Sequence, residues 1–233
     1  MNWSVPKIWE DGDVWIIGGG SSIPELFGVP PKVIKDVLNG QIPVSAYSPY
    51  LKPIHAKHVI GINAAFLIGN WIDAVFFGDG KFFHKYMKEL RQFHGLKICC
   101  TSSAARCDWV KYLQRDGRKP YGITSLPSKV SWNQNSGSAA ISVAVHSGAK
   151  RIFLLGFDMK LGAGSSQHWH TLYKDMRKIN GNNRLQNRLP FARHLKGFPM
   201  IAEDAKRKGV EIFNVCPNSA ITAFPKVTLN EVL

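Results

Sequence analysis

Residues 14–26, VWIIGGGSSIPEL, decide the fold: a run of β-branched and aromatic side chains breaks off into three glycines and two serines. A continuously apolar strand has no side to show to water, so it belongs in a sheet covered on both faces. Gly18, Gly19, Gly20, Ser21 and Ser22 then let backbone amides and hydroxyls approach whatever sits at the strand's end, a phosphate above all. A tight strand-to-helix turn is the other reading of the same residues. The third glycine follows the second directly, and no P-loop lysine comes after it, so neither the dinucleotide fingerprint nor a Walker motif is present.

Working outward, the same strand signature recurs at 58–63, 73–79, 96–102, 151–158 and 210–215. Helices are predicted over 30–40, 81–93, 137–148 and 190–209, the first opened by prolines and the last closed by a basic turn and a glycine. Strands alternating with helices predict a Rossmann-like, doubly wound α/β fold with a mainly parallel sheet. The expectation is one domain over 1–233, with 160–190 forming an irregular basic lid or insertion after the strand that ends at Asp158.

The net charge of +14 sits almost wholly in residues 81–119 and 160–208. Such clustering predicts attraction to a polyanion, with a merely solvated basic face as the alternative. No run is long enough to span a membrane, and the first residues lack a basic segment followed by an apolar one, so a cytoplasmic protein is expected. Cys99, Cys100, Cys107 and Cys216 show no CxxC spacing and read as free thiols.

Polar residues gather where the strands end, which is where open parallel sheets bind ligands. Asn63 ends the second strand, Asp79 the third and Asp158 the fifth. The asparagine can bridge backbone or read a ligand, and Asp79 can hold a ribose, a metal or an acceptor hydroxyl. Asn133, Asn135, Ser136 and Gly137 open a helix of small residues whose first amides suit an anion or a base edge.

After Asp158 comes GAGSSQHWHTLY, residues 162–173. Gly162, Gly164, Ser165 and Ser166 read as hinges, His168 or His170 as a general base, and Trp169 or Tyr173 as a stacking platform. Two further readings stay open: the histidines ligate a metal with Asp158 or Asp79, or they are neutral and exposed. Arg184 and Arg188 lie among basic and aromatic residues suited to a phosphate backbone.

Taken together, GGGSS (18–22), INAAFLIGNWIDAVFFGD (62–79), NSGSAA (135–140) and GAKRIFLLGFDM (148–159) resemble the bacterial sialyltransferases of glycosyltransferase family forty-two and the related MptE-like family. The HWH segment at 168–170 and the tail VEIFNVCPNSAITAFPKVTLNEVL (210–233) resemble a group of phage and prophage proteins, which implies a host cytoplasm. The resemblance implies a nucleotide or nucleotide-sugar donor held by Gly19–Ser22, Asn63 and the Asn135, Ser136 and Gly137 turn. It also implies a histidine base beyond a long lid, for which His168 and His170 are the nearest candidates.

Three functions follow from this reading. The first is a glycosyltransferase-like transferase acting on a polyanionic acceptor such as DNA. The second is a Mg²⁺-dependent pyrophosphokinase or nucleotide-processing enzyme using Asp79 and Asp158. The third is a non-catalytic nucleotide- or nucleic-acid-binding protein.

Overall fold

The computed structural model describes residues 3–162, 166–173 and 190–233. Nine strands occur among them: β1 Asp13–Ile17, β2 His58–Ile62, β3 Ala74–Phe77, β4 Leu96–Cys99, β5 Lys111–Tyr112, β6 Gln114–Arg115, β7 Lys129–Val130, β8 Arg151–Leu155 and β9 Glu211–Asn214. Seven form an all-parallel sheet in the order β5-β4-β3-β2-β1-β8-β9, and β6 pairs with β7 outside it. The Rossmann-like α/β expectation therefore holds, and six of the nine strands coincide with the predicted apolar runs.

Alternation along each strand sends successive side chains to opposite faces. Val14, Ile16, Ile60, Phe76, Ile152 and Leu154 face α5 (Ser136–His146) and the helix Phe198–Arg207. Trp15, Ile17, Val59, Val75, Phe77, Phe153 and Leu155 face α2 (Pro31–Leu38) and the 3₁₀ segment Val44–Ile54. That second layer also holds α3 (Gly80–Lys85) and α4 (Met87–Gln92), while α1 is the single turn Ile23–Leu26. In α5 every residue from Gly137 to Ala144 is buried, so its small side chains are what let it lie close on the sheet.

Two predicted helices are each divided. The 81–93 helix breaks between α3 and α4 at Tyr86, whose φ of −109° and ψ of 19° leave the helical region while its hydroxyl donates to the Leu172 carbonyl at 3.2 Å. The 190–209 helix becomes α6 (Phe191–Leu195) and α7 (Phe198–Arg207). Pro199 lies in the first turn of α7, where a missing N–H costs nothing, and it blocks continuation from α6.

The lid predicted over 160–190 lies largely outside the described residues, as do Gly164, Ser165, Arg184 and Arg188. Among the described residues no helix is long and apolar enough to cross a membrane. Beside β1 the chain winds one way through β2 to β5 and the other way through β8 and β9. That reversal opens a crevice at the carboxyl ends of β1 and β8.

Candidate functional site

A cavity of about 490 Å³ fills this crevice. Its walls include Gly18, Gly19, Gly20, Asn63, Asp79, Asn135, Ser136, Gly137, Asp158, His168 and Tyr173, so the structure brings together most of the residues singled out from sequence. Of the rest, Ser21 and Ser22 flank it in the glycine loop, and Trp169 and His170 lie behind its wall.

The glycine loop is fastened to the loop after β8. Gly18 N donates to Leu155 O at 2.7 Å, Gly20 N to Gly156 O at 2.8 Å and Ser22 N to Asp158 Oδ2 at 3.0 Å. A Cβ on Gly20 would stand 2.2 Å from Asp158 Oδ2, which explains why the third glycine follows the second at once. Only the intervening Gly19 and Ser21 amides have no partner among the described residues, and these are the ones available to a phosphate. Gly162 answers the same packing need, since a Cβ there would come within 2.0 Å of Ser21 Oγ.

Backbone strain concentrates at the cavity. Asn63, Gln134 and Met159 line it with φ of 50°, 57° and 51°, a region side chains other than glycine rarely occupy. Asn63 Oδ1 is buried and has no hydrogen-bond partner among the described residues. An acceptor held in that state is complementary to an N–H or O–H brought by a ligand.

The other polar candidates have structural duties. Asn133 is fully buried and spans the Gly122 peptide, taking its N–H at 2.7 Å and donating to its carbonyl at 2.9 Å, so its predicted part in an anion or base-edge site is corrected to a backbone bridge. Asn135 caps α5 by accepting Gly137 N at 2.8 Å, and Ser136 and Gly137 at the start of that helix line the cavity. Asp79 caps α3 by accepting Lys81 N at 2.8 Å. No group of three His, Cys, Asp or Glu residues among the described ones is placed to hold a metal ion.

His168 and His170 do lie on one side of their segment, with rings 5.4 Å apart and nearly parallel, and Tyr173 meets both edge-on. They differ in depth. His168 lines the cavity, and its Nδ1 lies 3.0 Å from the Gly19 carbonyl, which can only accept. That contact fixes the proton on Nδ1 and leaves the neutral ring's lone pair on Nε2.

His170 is buried beneath it, and burial together with His168 and Lys85 pushes its pKa down to about 3. Its ring does not reach the cavity, so its sequence-based assignment as a base is corrected to a neutral core position. Trp169 is corrected likewise: at 2% exposure, with Nε1 donating to Gly18 O at 2.9 Å, it is a strut under the glycine loop and not a platform for a ligand. Tyr173 reaches the cavity while its hydroxyl accepts Ala64 N at 3.1 Å.

Sequence reasoning missed His194, Arg115, Trp132 and Lys160, all on the cavity wall, where Arg193 of the basic 170–196 stretch joins them. His194 projects from α6, beyond the 174–189 segment, and its pKa is lowered to about 4 by burial, then by Arg193 and His168. It is therefore a neutral imidazole at physiological pH. Position relative to the long segment was its one available signal. Arg115 stacks on Trp132 at 3.9 Å and donates from Nε to Cys100 O and from Nη2 to Gly78 O.

No family model and no curated protein matches the chain. Solved structures do match in fold. The monofunctional α-2,3-sialyltransferase Cst-I from Campylobacter jejuni aligns over 92% of this chain and 80% of its own, with 15% identity and a TM-score of 0.53. The sialyltransferase CST-II, in a variant crystallised with CMP, aligns over 94% and 87%, with 16% identity and a TM-score of 0.53. The MAf glycosyltransferase from Magnetospirillum magneticum AMB-1 reaches a TM-score of 0.56 at 12% identity; the match spans 99% of this chain but 36% of that one.

Proposed function

We propose that the cavity binds a nucleotide-linked donor and that the protein is a glycosyltransferase-like transferase, moving the activated group to an acceptor hydroxyl. The observation that carries this reading is Asn63, a strained residue at the topological switch point whose buried side-chain oxygen awaits a donor. Lys160 and Arg193 on the wall, with the Gly19 and Ser21 amides, supply positive potential for a phosphate. The fold shared with sialyltransferases, one of them crystallised with CMP, supports a nucleotide-sugar donor.

His194 acts as the general base. It takes the proton of the acceptor hydroxyl as the oxygen attacks the donor carbon; the bond from that carbon to the phosphate oxygen breaks, and the nucleotide leaves with the electron pair. His168 is a positioning residue that holds the Gly19 carbonyl. The clustered surplus of positive charge favours an anionic acceptor.

Incubation with CMP-, UDP- and GDP-linked sugars, with release of free nucleotide followed by chromatography, tests the reaction. Release from one of these donors above the uncatalysed rate is expected, and it should not require Mg²⁺. Absence of release from every donor, with and without a carbohydrate or oligonucleotide acceptor, would sink the transferase reading.

A further inference from the structure

Beside the main cavity lies a second hollow of about 310 Å³, lined by Cys100, Thr101, Ser102, Tyr112, Gln114 and Arg115. Thr101 and Arg115 belong to both, so the two spaces meet across these side chains. The second hollow stands at the carboxyl ends of β4 and β5, on the same edge of the sheet as the donor cavity.

Its chemistry is distinctive. Two hydroxyls, a phenol, a thiol, a primary amide and a guanidinium line it, and no carboxylate among the described residues does. Arg115 is exposed, yet its guanidinium is held on three sides, by the Cys100 and Gly78 carbonyls and by the Trp132 ring. A Cβ on Gly78 would come within 2.1 Å of that indole, so the glycine makes room for the support.

Arg151 with Asp13 and Lys119 with Asp204 show cations of this chain held in ion pairs. Arg115 pairs with no carboxylate among the described residues. With Nε and Nη2 each already donating to a carbonyl, the guanidinium is held rigid, and its remaining N–H groups, chiefly those of Nη1, are suited to an oxyanion.

We propose that this hollow is the acceptor subsite and that it takes a carboxylate-bearing sugar, with Arg115 on the carboxylate and Thr101, Ser102 and Gln114 on ring hydroxyls. The inference rests on the transferase reading and specifies its acceptor. The size of the hollow, at the lower end of small-ligand sites, favours a single sugar ring over a nucleic-acid duplex.

The test is a titration of the ¹⁵N-labelled protein with methyl β-D-glucuronide and, separately, with its uncharged isostere methyl β-D-glucoside, reading the Arg115 Nε–H and Trp132 Nε1–H signals. The glucuronide is expected to shift both in a saturable way and the glucoside to leave them in place. The Arg115→Gln variant should lose the Trp132 response, while Arg115→Lys should recover only part of it, because a point charge lacks the fork.

Equal responses to the two sugars, no response to the glucuronide, or a response to a thymidine dinucleotide at least as strong as to the glucuronide would each overturn the proposal. These titrations need no nucleotide. A chain that releases nucleotide from an activated sugar but ignores the glucuronide refutes the subsite alone, whereas one that does neither refutes the transferase reading as well.

Discussion

Replacing His194 by alanine is expected to lower donor turnover by about 10²- to 10⁴-fold with nucleotide affinity nearly unchanged. The expectation comes from where α6 puts the imidazole: on the cavity wall, half-buried, and near Arg193 and His168, all of which favour its neutral form. A base of pKa about 4 is unprotonated at neutral pH, so the rate should hold on acidification and fall only as pH passes down through that value.

The same shift carries a sign for stability. The ordinary value is 6.5 and the folded one about 4, so between them the unfolded chain binds more protons than the native one. The stability contribution is complete above 6.5 and is lost as pH falls towards 4. His194→Gln should flatten that part of the profile of melting temperature against pH. Full turnover in His194→Ala, combined with its loss in His168→Ala, would transfer the base to His168.

Trp169→Ala is expected to cost about 3–5 kcal/mol in urea unfolding, the range for removing a large buried ring. The indole is 2% exposed, bonds Gly18 O through Nε1, and meets Tyr47 and His170 edge-on. Its own backbone N–H donates to Gly19 O at 3.3 Å. Losing the ring removes the floor of the glycine loop, so nucleotide affinity should fall along with stability. Trp169→Phe keeps most of the volume but strands the Gly18 carbonyl, at about 1–3 kcal/mol. Lost nucleotide binding with an unchanged unfolding midpoint would contradict this and put the indole on the ligand.

Six strands were legible because parallel strands covered on both faces must be apolar throughout, and a run such as IFLL, short and β-branched or aromatic between Arg151 and Gly156, favours a strand. The site's location was legible for a related reason: Asn63, Asp79 and Asp158 follow such runs, and strand ends share one edge of a parallel sheet.

Depth was not legible. Period-two spacing correctly placed His168 and His170 on one side, but only tertiary packing sets one at the cavity and the other beneath it. Arg193 adjoins His194 in sequence, but His168 meets it only when α6 folds back over the crevice. Arg115 sits on a two-residue strand, too short to show any periodicity, and its meaning depends on carbonyls from β3 and β4 ends far along the chain.

The most direct measurement is calorimetric titration of CMP, UMP, AMP and GMP into the wild-type protein and into Asn63→Gly. Glycine accepts the positive φ and removes only the side chain, so the backbone at the switch point is retained. One monophosphate is expected to bind at a single site, and Asn63→Gly should weaken it by about tenfold or more, the worth of one hydrogen bond from an otherwise stranded acceptor. Failure of all four to bind, or equal affinity in the two proteins, would contradict a nucleotide site read by Asn63.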